Sequence, residues 1–290
     1  MRLVDGRRAG LRGLAIVAVL GLGGAGCGGD DDDSGGGGGE SQAAKPSRLA
    51  IELSGSGKKP TFTVPKSVKG GVTEISFTNS AEGDHSAQLV GAQDGHTPQE
   101  ALAAGNAWGE KGNGLPDWVV LAGGLGDVKA GDTGSVTQEL APGKYVVADL
   151  NTGANAEFEV TGDSGGGEVA SDGPTVEATE YEFTSSGLKA GANPLLFKNT
   201  GAEPHFIAGV KLKPGATIED ARRFIKSEKG KPPFDESQTF NTAVIDAGDS
   251  QSVELELQEG KYAFLCFVPD RAGGPPHAVK GMISEAVVGG

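Results

Sequence analysis

The chain has 290 residues and a formal net charge of −14, from 25 basic and 39 acidic side chains. This acidity argues against binding to nucleic acid and favours a basic partner. Fifty glycines and fifteen prolines separate short segments rich in Val, Thr, Ile and Phe, a composition that favours an all-β architecture over a helical one. The length suits two domains of ordinary size once a signal segment and a tether are set aside.

The N-terminal segment has the pattern of an export signal. Residues 1–12 carry four arginines and one aspartate, the apolar run 13–22 follows, and small residues lead to Cys27. The run is shorter than the roughly 20 residues that span a bilayer, so residues 1–27 are predicted to be a cleaved secretory signal. The segment resembles a bacterial lipoprotein signal, which implies lipidation of the Cys27 thiol. Gly24 stands where such signals usually have leucine, and an ordinary signal of a secreted protein is the alternative.

Residues 28–46 are predicted to be a disordered tether. They contain four consecutive aspartates (30–33) and five consecutive glycines (35–39), and such runs cannot bury apolar surface. Loss of the signal would remove four arginines and one aspartate and take the net charge from −14 to −17. A lipid anchor at Cys27 would hold the protein at the outer face of the cytoplasmic membrane, in the cell envelope.

The remainder of the chain contains an internal repeat. Three pairs of segments match: Phe-Thr-Asn-Ser 77–80 with Phe-Lys-Asn-Thr 197–200, His85 with His205, and Gly-Lys-Tyr 143–145 with Gly-Lys-Tyr 260–262. The first two pairs are offset by 120 residues and the third by 117, so one copy differs from the other by a short loop deletion. The repeat predicts two tandem domains, 47–160 and 174–290, joined by a linker rich in Gly, Ser and Asp over 161–173.

Each copy is predicted to be a β-sandwich with one inserted helix. Apolar residues alternate along 135–140 and 252–257, which is the period of half-buried strands. The helix start is indicated by a capping box, Thr97 with Glu100, and more weakly by Thr217 with Asp220. We therefore expect about seven or eight strands and one helix in each domain.

The second copy carries the residues that indicate chemistry. Apart from Met1 and Cys27, the chain has one cysteine, Cys266, and one methionine, Met282. Cys266 ends a predicted strand, His277 and Met282 follow it, and His205 lies at a distant strand end. Two imidazoles, a thiolate and a thioether suit copper, and His₂Cys with a long axial Met is the blue-copper set. The alternative is a buried cysteine, a loop histidine and a methionine that fills the core.

The second domain resembles the plastocyanin and azurin group of cupredoxins, over roughly residues 174–288. The segments that carry the resemblance are those that deliver His205, Cys266, and His277 with Met282. It implies a Greek-key sandwich in each copy, one type 1 copper ion on these four residues, electron transfer, and a second histidine, His277, at a surface edge beside two prolines. Ten residues, 267–276, separate Cys266 from His277, where plastocyanins have two.

The first copy is expected to lack the copper site. Asp149 stands at the position of Cys266, and residues 150–160 contain neither histidine nor methionine. His85 is interpreted as a strand-end histidine. Three more side chains of this copy are expected in a loop or in packing: His96, Trp108 and Trp118.

The leading functional hypothesis is a one-electron carrier rather than an enzyme. Serines and carboxylates are not spaced beside a histidine as in a catalytic triad, and four histidines in the chain are too few for an additional type 2 copper site. The expected partner is a redox protein of the envelope with a basic docking face. Two alternatives stay open: a carrier or store that delivers copper, and a metal-free cupredoxin-like protein that acts through its surfaces.

Overall fold

The computed structural model describes residues 45–56, 59–163, 167, 169 and 172–290, and residues Pro46–Gly290 belong to one unit. The predicted signal, the lipidation site Cys27 and nearly all of the predicted tether lie outside the described residues. Parts of the predicted linker do so as well. These assignments and the domain boundaries therefore stay predictions. Among the described residues, no helix has the length and apolarity needed to cross a membrane.

The first half of the unit consists of strands with one helix. Its elements in chain order are β1 (Ser47–Ser54), β2 (Thr61–Thr63), β3 (Ser67–Lys69), β4 (Gly71–Asn79), β5 (His85–Ala92), α1 (Pro98–Lys111), β6 (Val119–Val128), β7 (Thr133–Leu140), β8 (Gly143–Ala148) and β9 (Asn155–Thr161).

The second half has a similar order, with four strands instead of five before its long helix and one additional short helix. Its elements are β10 (Thr175–Thr179), β11 (Glu182–Ser186), β12 (Gly191–Asn199), β13 (Ala208–Leu212), α2 (Ile218–Ser227), β14 (Phe234–Asn241), β15 (Ser250–Leu257), β16 (Gly260–Leu265), α3 (His277–Lys280) and β17 (Ile283–Val288). The all-β prediction with one inserted helix in each half is confirmed. The short helix α3 was not predicted.

One sheet passes through both halves. Its strand order is β11-β10-β12-β15-β7-β4-β1-β2, and the halves join where β15 pairs antiparallel with β7, with Val253 opposite Val136. A five-stranded sheet, β3-β9-β8-β5-β6, belongs to the first half, and a four-stranded sheet, β14-β13-β16-β17, to the second. The sequence left open whether the two predicted copies pack together, and the structure shows that the two halves share a sheet.

Apolar faces of these sheets form the core. In the first half, Ile75 and Phe77 of β4 belong to the same buried cluster as Leu89 and Val147 from the smaller sheet. In the second half, Phe197 of β12 shares a cluster with Phe264 of β16. The predicted period of two along the strands therefore arises because alternate side chains face the opposite sheet.

The two helices begin at the predicted caps. Thr97 accepts a hydrogen bond from the backbone N–H of Glu100, whose carboxylate accepts one from the N–H of Thr97. Thr217 and Asp220 form the same reciprocal pair at α2. The capping-box prediction is confirmed at both sites, including the weaker one, because Asp reaches the cap backbone as Glu does.

Gln88 of β5 joins the halves in the interior. This buried amide donates to the carbonyl oxygens of Gly123 (3.1 Å) and Val244 (3.0 Å), and its oxygen accepts the N–H of Val244 at 2.8 Å. Gly123 also donates its own N–H to the carbonyl of Val244. Buried polar groups are costly unless paired, so these bonds specify one packing of the two halves.

Candidate metal centre

Three predicted ligands converge in the second half. His205, Cys266 and His277 are fully buried, and their ligand atoms all lie within 4.8 Å of one another. His205 and His277 are 72 residues apart in the chain, yet their Nδ1 atoms are separated by 3.1 Å. This is the only such cluster of His, Cys, Asp and Glu found in the part of the chain that the structure describes.

The turn after β12 holds His205. Asn199 at the end of that strand donates from Nδ2 to the carbonyl of Glu203 at 2.8 Å, and its Oδ1 accepts the N–H of Gly201 at 3.1 Å. His205 then exchanges backbone hydrogen bonds with Ile245. Asn79 makes the same kind of turn after β4, donating to Gly83. The repeated asparagine of the sequence motif is therefore a turn-forming residue that sets the position of the histidine after it.

Cys266 and His277 are brought together by backbone hydrogen bonds. Cys266 directly follows β16, and its carbonyl accepts the N–H of Ala278 at 2.7 Å. The N–H of His277 donates to the carbonyl of Val268 at 2.9 Å. The ten residues between the two ligands, which we call the ligand loop (267–276), thus leave the strand and return to it.

Met282 lies next to this pair in the core. Its side chain is fully buried, belongs to the same apolar cluster as Cys266, and its backbone N–H donates to the carbonyl of His277 at 2.9 Å. These observations put Met282 beside the cluster, and its role as the fourth ligand stays a prediction.

The two imidazoles turn their Nδ1 atoms towards each other and their Nε2 atoms outwards. Nε2 of His277 lies 3.0 Å from Oδ1 of Asp270. Nε2 of His205 has no hydrogen-bond partner, and Oε1 of Glu180 is 3.8 Å from it. The two Nδ1 atoms, which face each other, are therefore the nitrogens that we assign to a metal ion.

The expectation that His277 lies at a surface edge is wrong, because its side chain is 0% exposed. Asp270, Tyr181 and Lys280 cover it. The Tyr181 hydroxyl donates to Asp270 Oδ1 at 2.9 Å, and Lys280 Nζ forms an ion pair with Oδ2 and donates to the Tyr181 hydroxyl at 3.1 Å. Tyr181 comes from the β10–β11 turn and Asp270 from the ligand loop, and no sequence spacing indicated that they meet.

Burial keeps the metal-free site uncharged. Desolvation lowers the pKa of His205 to about 4, with the neighbouring His277 as a second cause, and it also lowers the pKa of His277. Burial raises the pKa of the Cys266 thiol to about 12, although backbone hydrogen bonds from Phe206 and Val268 oppose the rise. A cation bound here would displace the thiol proton and form a thiolate.

The donor set and its environment fit a soft metal ion. Thiolate and imidazole are ligands that copper prefers. Buried polar groups normally have partners, and a metal would use the Cys266 sulfur and both Nδ1 atoms in a pocket closed to water. Nε2 of His277 already has a carboxylate acceptor, which is the usual outer partner of a metal-bound imidazole. Residues His205, Cys266 and His277 would hold the ion, with Met282 adjacent.

Part of the first half packs on the ligand loop. We call residues 108–119 the clamp segment. Nε1 of Trp108 donates to the carbonyl of Asp270 at 2.8 Å, and the N–H of Leu115 donates to the carbonyl of Arg271 at 2.7 Å. Trp108 is 3% exposed, which confirms the packing prediction for this residue. Trp118 is half-buried and stacks on His96, a loop residue as predicted, with ring centroids 3.8 Å apart.

The corresponding position of the first half holds a histidine–aspartate pair. Asp149 follows β8 as Cys266 follows β16, and its Oδ2 lies 2.8 Å from Nδ1 of His85, the first residue of β5. Asp149 also accepts hydrogen bonds from the backbone N–H groups of Ser86, Asn151 and Thr152. The carboxylate is therefore fully engaged in structural hydrogen bonds.

Three solved structures are reported for comparison with the chain. A dithionite-reduced auracyanin from the photosynthetic bacterium Roseiflexus castenholzii is 24% identical over 40% of this chain and 95% of its own length, with a TM-score of 0.26. Auracyanin B is 24% identical over 43% and 97%, with a TM-score of 0.28. A copper nitrite reductase from Nitrosomonas europaea is 14% identical over 83% and 93%, with a TM-score of 0.23. At these scores the likenesses add nothing to the description of the site.

No known protein family and no curated protein matches the sequence.

Proposed function

We propose that the protein binds one copper ion in a type 1 centre and carries single electrons. The observation that supports this most is the convergence of His205, Cys266 and His277, all buried, with ligand atoms within 4.8 Å. A histidine, a cysteine and a histidine meet here from two separate regions of the chain. Met282, buried beside them, completes the proposed ligand set.

Rigid support of the ligands suits electron transfer. When bound, copper supplies a one-electron couple between Cu(I) and Cu(II). Asn199 fixes the turn before His205, and the bonds of Val268 and Asp270 fix the backbone and ring of His277. Full burial of all three ligands excludes water from the site. Little has to move between the two oxidation states when the protein itself sets the positions of the ligands.

We further propose that the chain is a tandem cupredoxin of the cell envelope. The similar element order of the two halves and the matching turns at Asn79 and Asn199 support a duplication. Export and a lipid anchor at Cys27 follow from the sequence alone. The partner is proposed to be an envelope redox protein with a basic face, because the chain carries a net charge of −14. We propose no catalytic activity.

Copper delivery is the second candidate function. The burial of the metal site favours electron transfer over delivery. A delivery protein has to present the ion to an acceptor, whereas His277 is covered by Tyr181, Asp270 and Lys280. The metal-free alternative assigns the ligand residues to ordinary packing. It gives no reason for two buried Nδ1 atoms to face each other beside a thiol.

Two measurements on the full chain test the proposal. Copper is added to the metal-free protein, and bound copper per chain is determined after desalting for the parent, His205→Ala and the control His96→Ala. We expect one copper ion per chain in the parent and the control and a loss in His205→Ala. Stopped-flow reduction of the Cu(II) protein is then compared with transfer of Cu(I) to a chelator. Rapid reduction with slow transfer supports electron carrying, and rapid transfer with slow reduction supports delivery.

A further inference from the structure

We infer that the first half of the chain acts as a lock on the copper site. Its clamp segment (108–119) holds the ligand loop (267–276) closed and so slows the exchange of copper. The inference rests on the proposed function. It assigns a task to the half in which aspartate replaces the ligand cysteine.

A continuous chain of hydrogen bonds connects the clamp segment to a metal ligand. The indole N–H of Trp108 donates to the carbonyl of Asp270 at 2.8 Å. The carboxylate of the same Asp270 lies 3.0 Å from Nε2 of His277. Trp108 therefore fixes the backbone of the residue whose side chain orients the imidazole, and Trp108 and Asp270 are positioning residues for the ligand.

Arg271 provides the second connection. Its guanidinium donates to the carbonyl of Pro116 at 2.9 Å and to that of Val119 at 3.3 Å, both in the clamp segment, and it pairs with Asp246 at 2.5 Å. A charge-assisted hydrogen bond is stronger than a neutral one. Arg271 directly follows Asp270, so these bonds hold the part of the ligand loop that contacts His277.

The two backbones also contact each other directly. The N–H of Gly274 donates to the carbonyl of Gly112 at 3.0 Å, and the N–H of Leu115 donates to the carbonyl of Arg271 at 2.7 Å. A Cβ atom at Gly273 would lie 2.5 Å from the carbonyl oxygen of Gly112. Such close approach leaves no room for a side chain, which explains why glycine stands at this position.

Release of copper requires His205, Cys266 or His277 to leave the site, and we assign the opening step to His277. His277 lies at the end of the ligand loop, and its departure would pull on bonds that Trp108, Leu115 and Gly112 make with that loop. Because these partners belong to the first half, opening requires separation of the clamp segment as well. A lock of this kind favours retention of the ion through many redox cycles over its delivery to an acceptor.

The test compares two tryptophan variants of the full chain. Trp108→Phe removes the indole N–H that donates to Asp270 and keeps an aromatic ring. Trp118→Phe makes the same change ten residues later, where the indole stacks on His96 instead. Release of Cu(I) to bathocuproine disulfonate is measured for both. Outer-shell changes cost about 10- to 100-fold in metal affinity, and we expect release about 10-fold faster in Trp108→Phe and unchanged in Trp118→Phe.

A second readout uses the metal-free protein. Amide hydrogen exchange of Gly274 and Leu115 reports the two bonds that cross between the halves. We expect faster exchange of both amides in Trp108→Phe only. Equal behaviour of the two variants, in release and in exchange, would overturn the inference. If the parent fails to bind copper, the proposed function fails, while amide exchange still tests the lock.

Arg271→Met serves as the independent variant, because it removes the bonds to Pro116 and Val119 and leaves Trp108 intact. Faster exchange at Gly274 together with faster release of copper supports the lock. Parent-like values for both contradict it.

Discussion

Asp270 holds the imidazole of His277 from outside while His205 faces it from inside. Oδ1 of Asp270 is 3.0 Å from Nε2, and Nδ1 of His205 is 3.1 Å from Nδ1 of the same ring. A carboxylate at Nε2 favours the tautomer in which Nε2 carries the proton. That tautomer leaves the lone pair of Nδ1 free for a metal ion, so the ligand state of His277 is set before any ion arrives.

Asp270→Asn is expected to lower the affinity for Cu(I) by about 10- to 100-fold, the usual effect of losing an outer-shell partner. The amide is neutral, so it neither orients the imidazole as strongly nor compensates Lys280. The matched control is Tyr181→Phe, which removes one hydrogen bond to Asp270 and leaves the carboxylate against His277. Affinity is measured by competition with a chromogenic chelator. Equal affinities of the two variants would show that the carboxylate has no special role.

Asp149→Asn is expected to destabilise the protein by about 3 kcal/mol at pH 7, because it weakens several buried hydrogen bonds to a charged group. Burial acts to raise the pKa of Asp149, but hydrogen bonds from Thr152, Ser86, His85 and Asn151 together outweigh burial and lower the pKa below 3.8. Because the folded-state pKa lies below the unfolded value, the stabilisation by the Asp149 carboxylate is fully present above the unfolded pKa of about 4. It is lost as the pH falls through the lower, folded-state pKa.

Urea unfolding at pH 7 and at pH 3 measures the difference in free energy of unfolding between the parent and Asp149→Asn. The gap in free energy of unfolding should be large at pH 7 and smaller at pH 3. Asp117→Asn, at an exposed position, is the control and should match the parent at both values. A gap that stays constant with pH would contradict the assigned role of the carboxylate.

Gln88→Leu is expected to lower the free energy of unfolding by about 2–4 kcal/mol, since it leaves buried backbone groups of both halves without partners. Those groups are the carbonyl of Gly123 and the N–H of Val244, whereas the carbonyl of Val244 keeps the hydrogen bond from the N–H of Gly123. The control Gln99→Leu removes a surface hydrogen bond to Asn155. If the two variants unfold at the same urea concentration, Gln88 does not join the halves.

Local patterns in the sequence predicted much of this structure. Alternation of apolar residues gave the strands, and the Thr97 and Thr217 caps located both longer helices. The scarcity of sulfur residues pointed to Cys266, and the position of His277 after it and the family resemblance pointed to His205 and His277, which the structure brings together. These features depend on a few neighbouring residues or on residue type, and both can be read from one chain.

The contacts that cover the site could not be predicted in this way. Asp270 lies within a ten-residue loop whose path is set by the clamp segment, and Tyr181 reaches it from a turn 89 residues earlier. The pairing of β15 with β7 likewise depends on which sheet edges meet. The family resemblance placed His277 at the surface, and the longer loop with its cover of Tyr181, Asp270 and Lys280 buries it instead.

The visible spectrum of the Cu(II)-loaded protein tests the central claim most directly. Both proteins compared carry Cys27→Ser, so that Cys266 supplies the only thiol, and one of them also carries Cys266→Ser. We predict an intense blue band from thiolate bonding to copper in the protein that retains Cys266 and its loss in the other. Identical weak spectra of the two proteins would contradict a copper centre at His205, Cys266 and His277.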